Sequence, residues 1–317
     1  MQISVVVPAY NEAESLPELT NWIAQVMQQN NFSYEVIVID DGSTDDTWTV
    51  LGQISEKNPA VKGLQFNRNY GKSAALHTGF QQAQGDVVIT MDADLQDDPE
   101  EIPALYQMIT QENFDLVSGW KQKRQDPISK TIPTKLYNAV TRWFSGIPLH
   151  DFNCGLKAYK LRVVKSVEVY GEMHRYIPVI AKSVGFKKIG EKKVKHHPRK
   201  YGVTKFGWER FLFGFLDLLS ITFVTKFRKR PMHFFGGLGV LSFFLGIMIT
   251  MYVIIEKMIH LYQNERFRNI TDQPLFYLAL VAIIVGVQLF MAGFLGEMII
   301  TNSSKTHEYV VSKKIGI

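Results

Sequence analysis

Gly85-Asp86-Val87-Val88-Ile89-Thr90-Met91-Asp92-Ala93-Asp94-Leu95-Gln96 is the stretch on which the reading of this chain turns. A short apolar strand runs straight into two carboxylates one residue apart, with Gln96 two further on. Where a strand ends and the chain turns, alternate side chains share a side, so Asp92 and Asp94 can meet one hard cation. Divalent metals held by few protein oxygens usually take their remaining ligands from a substrate diphosphate. Carboxylates also crowd turns for local reasons. The pattern gains its meaning from what surrounds it.

Working outward, strand-like runs alternate with helical patterns through the first 120 residues. Strands are expected at Ile3–Val7, Glu35–Ile39, Lys62–Phe66, Val87–Met91 and Leu116–Ser118, with amphipathic stretches near 14–29, 44–56, 71–83 and 99–111. Such alternation means βαβ units, a mostly parallel sheet and right-handed crossovers. Ligands of these sheets bind at the carboxyl ends of the strands. Polar clusters follow four of them: Pro8-Ala9-Tyr10-Asn11-Glu12, Asp40-Asp41-Gly42-Ser43-Thr44-Asp45, Asn67-Arg68-Asn69-Tyr70-Gly71-Lys72, and the Asp-Ala-Asp. Asp-Gly-Ser-Thr-Asp is also good turn and N-cap chemistry, and Asn-Tyr-Gly-Lys also suits a plain loop entering a helix. Four such clusters on one edge are harder to read as turns alone. No Gly-x-Gly-x-x-Gly follows the first strand, and Gly71-Lys72-Ser73 lacks the upstream glycine of a P-loop, Phe66 standing in its place. A Rossmann dehydrogenase and a P-loop NTPase are disfavoured.

The 317 residues divide by composition near residue 205, soluble before it and dominated by apolar residues after it. The net charge of +5 is uneven. Lys187, Lys188, Lys192, Lys193, Lys195, Arg199, Lys200 and Lys205 cluster before the apolar region, and Lys226, Arg228, Lys229 and Arg230 stand at its entrance. Such a cluster is either a solvated face or, beside membrane segments, a seat for anionic headgroups and phosphates. Nucleic acid is not expected as a partner, because no nucleic-acid-binding motif accompanies the charge. A single cysteine, Cys154, excludes an intramolecular disulfide framework and fits a reducing compartment. The chain opens directly on a strand, without a basic n-region or cleavage site, so the N-terminal domain is expected in the cytoplasm.

Lys205 to Phe227 is rich in Phe and Leu, with Arg210, Asp217 and Ser220 as a narrow polar stripe. A helix lying in the headgroup layer is expected there, a buried helix of the soluble domain being the alternative. Residues 233–255 and 275–296 are expected to span a membrane, since each would cover roughly 30–35 Å as a helix. Basic residues before the first span, and Lys305, Lys313 and Lys314 after the second, put both termini in the cytoplasm. Ala282/Gly286 and Ala292/Gly296 give small-xxx-small spacing for close helix packing. The expected organisation is therefore a catalytic domain over 1–205, an interfacial helix and basic linker over 206–230, and an anchor over 231–317.

These residues carry a family resemblance. The soluble half resembles the family 2 glycosyltransferases of GT-A fold, and most of all the polyisoprenyl-phosphate glycosyltransferases, the group that includes dolichol-phosphate mannose synthase. The matching motifs are Val7-Pro8-Ala9-Tyr10-Asn11-Glu12, Asp40-Asp41-Gly42-Ser43-Thr44-Asp45, Asn69-Tyr70-Gly71-Lys72, Asp92-Ala93-Asp94-Leu95-Gln96 and Arg199-x-x-Gly202-x-Thr204-Lys205, which together span most of residues 3–206 in order. The two-span tail also occurs in the bacterial members, which implies an integral protein of the bacterial inner membrane.

The resemblance implies transfer of a hexose or related sugar from a nucleotide sugar to a polyprenyl phosphate, for cell-envelope glycan modification. It assigns Pro8, Tyr10, Glu12, Asp41, Lys72, Asp92, Ala93 and Lys121 to the nucleotide sugar, and Asp92, Asp94 and Gln96 to Mg²⁺ or Mn²⁺. Arg199 and Lys205 fall to phosphate and acceptor, and Asp92, Asp94 and Asp151 to catalysis. Lys121 stands where related enzymes often carry Arg, keeping the charge but losing the bidentate fork. UDP is preferred over GDP as the carrier, the sugar is left open, and a homo-oligomer is one implied arrangement because tetramers occur among similar enzymes. Three rivals remain. A processive polysaccharide synthase would show Gln-x-x-Arg-Trp, but Ala139 precedes Arg142-Trp143 here. The others are a transferase acting on another lipid and an inactive scaffold, against which the intact Asp92, Asp94, Gln96, Arg199 and Lys205 argue.

Overall fold

The computed structural model describes residues 1–122, 128–171, 173–201, 231–264, 268–302 and 311–316. Lys205, the expected interfacial helix over 206–230 with its basic residues, and Lys305 lie outside them. The described residues up to 201 form one compact unit together with the C-terminal strand; 231–302 form another.

In the first unit, β1 (Ile3–Ala9), β2 (Tyr34–Asp40), β3 (Val61–Phe66), β4 (Val87–Thr90) and β5 (Leu116–Trp120) fall on the five stretches expected as strands. The connecting helices α1 (Leu16–Gln29), α2 (Thr47–Lys57), α3 (Lys72–Gln82) and α4 (Ile102–Thr110) also coincide with the amphipathic stretches. Further on come α5 (Ile128–Ser145), β6 (Lys157–Lys160), α6 (Leu161–Ser166), α7 (Ile177–Ser183) and β7 (Ile189–Lys193). The sheet has eight strands in the order β7-β5-β6-β4-β1-β2-β3-β8, the last being Val311–Ile315.

Strand β1 shows why the sheet is the core. Its aliphatic residues are buried on both faces, as a central parallel strand requires. Period-two alternation sends Val6 to one core with Ile37, Ile39, Phe80 and Tyr159, and Ile3, Val5 and Val7 to the other with Leu16, Leu19, Ile23 and Leu105. The parallel pairings β1–β2, β1–β4 and β2–β3 bring four carboxyl ends to one edge. Strand β6 runs antiparallel between β4 and β5. β5 therefore points the same way as β4, and the turn leading into β6 meets the same edge. Strand β7 runs parallel to β5, so the segment following it arrives there too.

The opposite edge is structural. Glu35, buried in β2, accepts from Ser4 Oγ at 2.6 Å and Gln84 N at 3.0 Å and pairs with Lys62 Nζ at 2.8 Å. Burial would raise its carboxyl, and these three partners outweigh that and hold it below its ordinary value.

Strand β8 follows both apolar helices in the chain yet belongs to this sheet, pairing antiparallel with β3 through Leu64↔Lys314 and Gln65↔Lys313. The sequence pattern groups Val311–Ile315 with the anchor; pairing across about 250 residues leaves no local signal. A chain shortened by residues 311–317 should lose about 2 kcal/mol, since Val311 and Ile315 are half-buried. Its melting temperature should fall by ~4–8 °C. An unchanged melting curve of the detergent-solubilised protein would show that β8 contributes nothing to the sheet.

In the second unit, α8 (Pro231–Tyr262) and α9 (Pro274–Asn302) contain both expected spans. Each is long and apolar enough to cross a membrane, with mean hydropathy 2.4 and 2.5. They pack through small residues. A side-chain carbon at Gly239 would lie 2.6 Å from the Gly286 carbonyl, and one at Gly286 would lie 2.7 Å from Phe243 N. Ser242 Oγ donates to Ala282 O at 2.8 Å, so both members of the Ala282/Gly286 pair lie at the helix contact.

Candidate active site

The loop after β4 makes a sharp turn. Leu95, buried, has φ +59°, in the left-handed region that leucine rarely enters. That turn brings Gln96 N to Asp94 Oδ1 at 3.2 Å. Beneath it the fully buried Asp97 accepts from Asp92 N at 3.3 Å. Strain of this kind at the end of a strand is what a functional loop carries.

Each carboxylate of this loop faces a basic side chain from elsewhere in the chain, two of them from the segment after β7. Lys72, at the start of α3, pairs with Asp92 Oδ1. Arg199 Nη2 lies 2.6 Å from Asp94 Oδ2, Lys121 Nζ 2.8 Å from Asp97 Oδ1, and His197 Nε2 3.1 Å from Asp98 Oδ2. Burial would raise the Asp92 carboxyl, but Lys72 and Lys121 outweigh it and hold Asp92 well below its ordinary value. Asp94 moves the other way: burial and the negative charges of Asp92 and Asp97 raise it, with Arg199 opposing. Burial alone would lower the Lys121 ammonium, yet Asp97 beside it keeps it above its ordinary value.

The neighbouring loops are tied to one another. Asn11 N donates to Ser43 Oγ and Thr44 N donates to Asn11 Oδ1, each at 2.9 Å. Glu12 N donates to Thr47 Oγ1 at 2.9 Å, and Glu12 Oε2 accepts from Ser15 Oγ at 2.6 Å. Asp41 accepts from Tyr70 N at 2.7 Å and Gly71 N at 2.9 Å, fixing the loop that delivers Lys72. Pro8, the last residue but one of β1, pairs with Ile39, and Tyr10 follows the strand at the same edge. The residues assigned to the nucleotide sugar thus share one edge, with Ala93 buried beneath the Asp-Ala-Asp turn.

Asp151 is buried, and its carboxylate accepts from Asn153 N at 3.0 Å. Helix α5 holds the segment that presents it: Arg142 Nε donates to Leu149 O at 3.0 Å, and Phe152 N donates to Asn138 Oδ1 at 3.3 Å. Arg142 of the Arg-Trp pair therefore braces this loop.

Sequence reasoning missed Asp97, Gly155, Lys157 and His174. Asp97 stands three residues after Asp94, at the end of the same motif, and was legible as a third acid. A side-chain carbon at Gly155 would lie 2.6 Å from Asp92 Oδ2, so only glycine lets this carboxylate rest against the turn. Lys157 is buried with its ammonium on the Cys154 carbonyl, and burial lowers it below its ordinary value. His174 N donates to Ser73 Oγ at 3.0 Å; burial, with Lys72 and Arg175 nearby, holds the imidazole well below its ordinary value, so it stays neutral. Burial, opposed by Lys121, pushes the Cys154 thiol up to about 12, which removes it as a nucleophile.

The donor set Asp92, Asp94 and Gln96 fits a hard divalent cation. It is oxygen-based, it sits on one sharp turn, and its two carboxylates already pair with cationic side chains. Among the described residues no three His, Cys, Asp or Glu side chains form a closed metal cage. Mg²⁺ is typically held by one or two carboxylates plus substrate phosphates.

Comparisons with known proteins agree with this geometry. The family model described as Glycosyl transferase family 2 matches residues 4–167. The chain is 35% identical over 302 residues to dodecaprenyl-phosphate galacturonate synthase of Rhizobium johnstonii, covering 94% of this chain and 88% of that one. It is 34% identical over 299 residues to undecaprenyl-phosphate 4-deoxy-4-formamido-L-arabinose transferase of Shewanella sediminis, covering 94% and 86%. The solved mannosyl-3-phosphoglycerate synthase of Rubrobacter xylanophilus shares the fold at TM-score 0.58 and 14% identity, covering 72% of this chain and 75% of that one. Glucosyl-3-phosphoglycerate synthase of Mycobacterium tuberculosis, solved with Mn²⁺, UDP-glucose and phosphoglyceric acid, does so at TM-score 0.54 and 21% identity, covering 70% and 79%. With its strained acidic turn on the carboxyl edge of a mostly parallel GT-A sheet, the chain belongs to glycosyl transferase family 2.

Proposed function

We propose that this protein transfers a sugar from a nucleotide sugar to a polyprenyl phosphate, making a lipid-linked sugar for modification of the cell envelope. The observation that carries the reading is the Asp92-Ala93-Asp94 turn flanked by Lys72 and Arg199, acids for a cation beside cations for a diphosphate. The two polyprenyl-phosphate transferases above, each aligned over 94% of this chain, support the acceptor.

The acceptor chemistry asks little of the protein. A phosphate monoester has its second pKa near ~6, so its attacking oxygen is already largely deprotonated at neutral pH. No strong general base is required, consistent with a neutral, buried His174 and an inert Cys154. What needs stabilising is the departing nucleoside diphosphate. Asp92, Asp94 and Gln96 would hold Mg²⁺ or Mn²⁺, which when bound supplies positive charge to that leaving group. Lys72 and Arg199 present cations at the same edge, and Lys121, anchored on Asp97, supports the loop from below. The Asp151 segment, braced by α5, forms the acceptor-side wall, and Lys205 extends the basic stretch that follows Arg199. Single displacement gives inversion at the anomeric carbon.

The membrane reading follows from topology. Strands β1 and β8 belong to one sheet, yet both apolar helices lie between them in the chain. Of the described helices, both therefore cross a bilayer or neither does; the length and hydropathy of α8 and α9 support two crossings, and the basic residues before α8 and after α9 in the sequence support cytoplasmic termini. UDP is the proposed carrier, and a homo-oligomer the proposed assembly.

The test is to incubate the purified full chain with Mg²⁺ or Mn²⁺, undecaprenyl phosphate and a panel of UDP- and GDP-sugars, then to weigh the extracted lipid. A glycosylated polyprenyl phosphate is expected. Glycosylation of diacylglycerol instead, or no lipid product with any donor, would overturn the reading.

A further inference from the structure

We propose that the nucleotide diphosphate and its divalent cation enter this site together, as one complex, and that Arg199 enforces it by occupying Asp94 until a diphosphate arrives. The inference rests on the metal and diphosphate reading above and goes beyond it in naming the species that binds.

Three acids of the loop already face permanent cations, and the fourth contacts a histidine. Lys72 pairs with Asp92, Arg199 with Asp94, Lys121 with Asp97 and His197 with Asp98. A free divalent ion arriving at Asp94 meets a guanidinium 2.6 Å from the oxygen it needs, and both are cations. A free diphosphate arriving alone meets the carboxylates of Asp92 and Asp94. Neither ligand by itself finds complementary charge.

The complex does. Asp94 would exchange the guanidinium for the metal, and Arg199 would exchange the carboxylate for phosphate, which a guanidinium can grip with two parallel N–H bonds. Every charge keeps a partner throughout.

The main chain around Arg199 makes this a movement of one side chain. His196 bridges to Asp97, His197 N donates to Gln96 O at 3.0 Å, and His197 Nε2 reaches Asp98. On the other flank Lys200 Nζ lies 2.7 Å from Glu18 Oε2, and Tyr201 OH donates to the same oxygen at 3.1 Å. Between these ties the Arg199 side chain is 29% exposed, so the exchange asks only for its rotation about a fixed main chain.

The experiment is a titration of Mn²⁺ into the purified full chain, with free Mn²⁺ read by electron paramagnetic resonance. It is run alone and with UDP, with protein-free UDP as the baseline, on wild type, Arg199→Gln, Arg199→Lys and Asp94→Asn. Wild type should bind Mn²⁺ weakly alone and at least about tenfold more tightly with UDP. Arg199→Gln should bind Mn²⁺ alone about tenfold more tightly than wild type and gain little from UDP. Arg199→Lys, which keeps the charge, should stay weak alone. An Arg199→Gln variant that binds free Mn²⁺ no better than wild type, while Asp94→Asn loses the UDP-dependent binding, would overturn the exchange alone. Equal Mn²⁺ binding by Asp94→Asn and wild type in the presence of UDP would instead overturn the metal reading beneath it.

Discussion

Asp94→Asn should abolish lipid glycosylation, lowering turnover by about 10³-fold or more, while the protein still folds and inserts. Asparagine fills the same space and keeps a carbonyl oxygen for Gln96 N, so the turn survives. It lacks the charge that pairs with Arg199 and that a divalent ion would need. Stability should hold or rise, because the native carboxyl is raised by burial and by repulsion from Asp92 and Asp97, and the substitution removes that repulsion. Melting temperature and mass-spectrometric turnover separate the two effects. Stripping divalent ions from wild type should reproduce the loss, and restoring Mn²⁺ or Mg²⁺ should reverse it. Near-normal turnover by Asp94→Asn at unchanged melting temperature would end the metal assignment.

The sequence carried the parts of this fold that are written locally. Strands β1 to β5 and helices α1 to α4 were legible because short apolar runs alternate with stretches of 3.6-residue period, each signal complete within its own element. Strand β6 was not, because its place between β4 and β5 is set by distant partners, and Lys157-Ala158-Tyr159-Lys160 has no distinctive pattern of its own. Strand β8 was masked by its composition, Val-Ser-Lys-Lys-Ile, which reads as a basic tail behind an apolar helix. The same division holds at the site. Asp92 and Asp94 announce themselves by following a strand, and Lys72 and Lys121 by their positions after strands. The Arg199–Asp94 pair joins residues 105 apart, so the sequence supplied the arginine without its partner. The basic run before the apolar region had two readings, solvated face or phosphate seat. The structure divides it by residue: Arg199 turns to the acidic loop, while Lys200 pairs with Glu18 on α1. Lys192 pairs with Glu101, and Lys193 lies over the Trp120 ring. Charge density alone could not tell these apart, because ion-pair partners are chosen by tertiary geometry.

Gly155→Ala should lower transfer by about 10²-fold with a modest loss of stability. The added carbon would stand 2.6 Å from Asp92 Oδ2 and 2.7 Å from its Cγ, closer than non-bonded atoms allow. The carboxylate has somewhere to go: Asp92 is about a third exposed and its partner is the flexible end of Lys72. The overlap is therefore relieved by swinging the carboxylate outward, at a cost of about 1–3 kcal/mol, and the domain stays folded. The site cannot absorb that movement, since a catalytic group must sit within ~0.5 Å of its working position. Gly63→Ala is the matched control: its added carbon would stand 2.7 Å from Leu51 Cδ2, equally crowded but packed in the core beneath β3. It should cost comparable stability and leave turnover near wild type, whereas Gly155→Ala should lose turnover at that same stability. If the two variants lose turnover equally, crowding anywhere in the sheet disables the enzyme and Gly155 has no particular tie to Asp92. If neither does, the position of the Asp92 carboxylate does not limit the reaction.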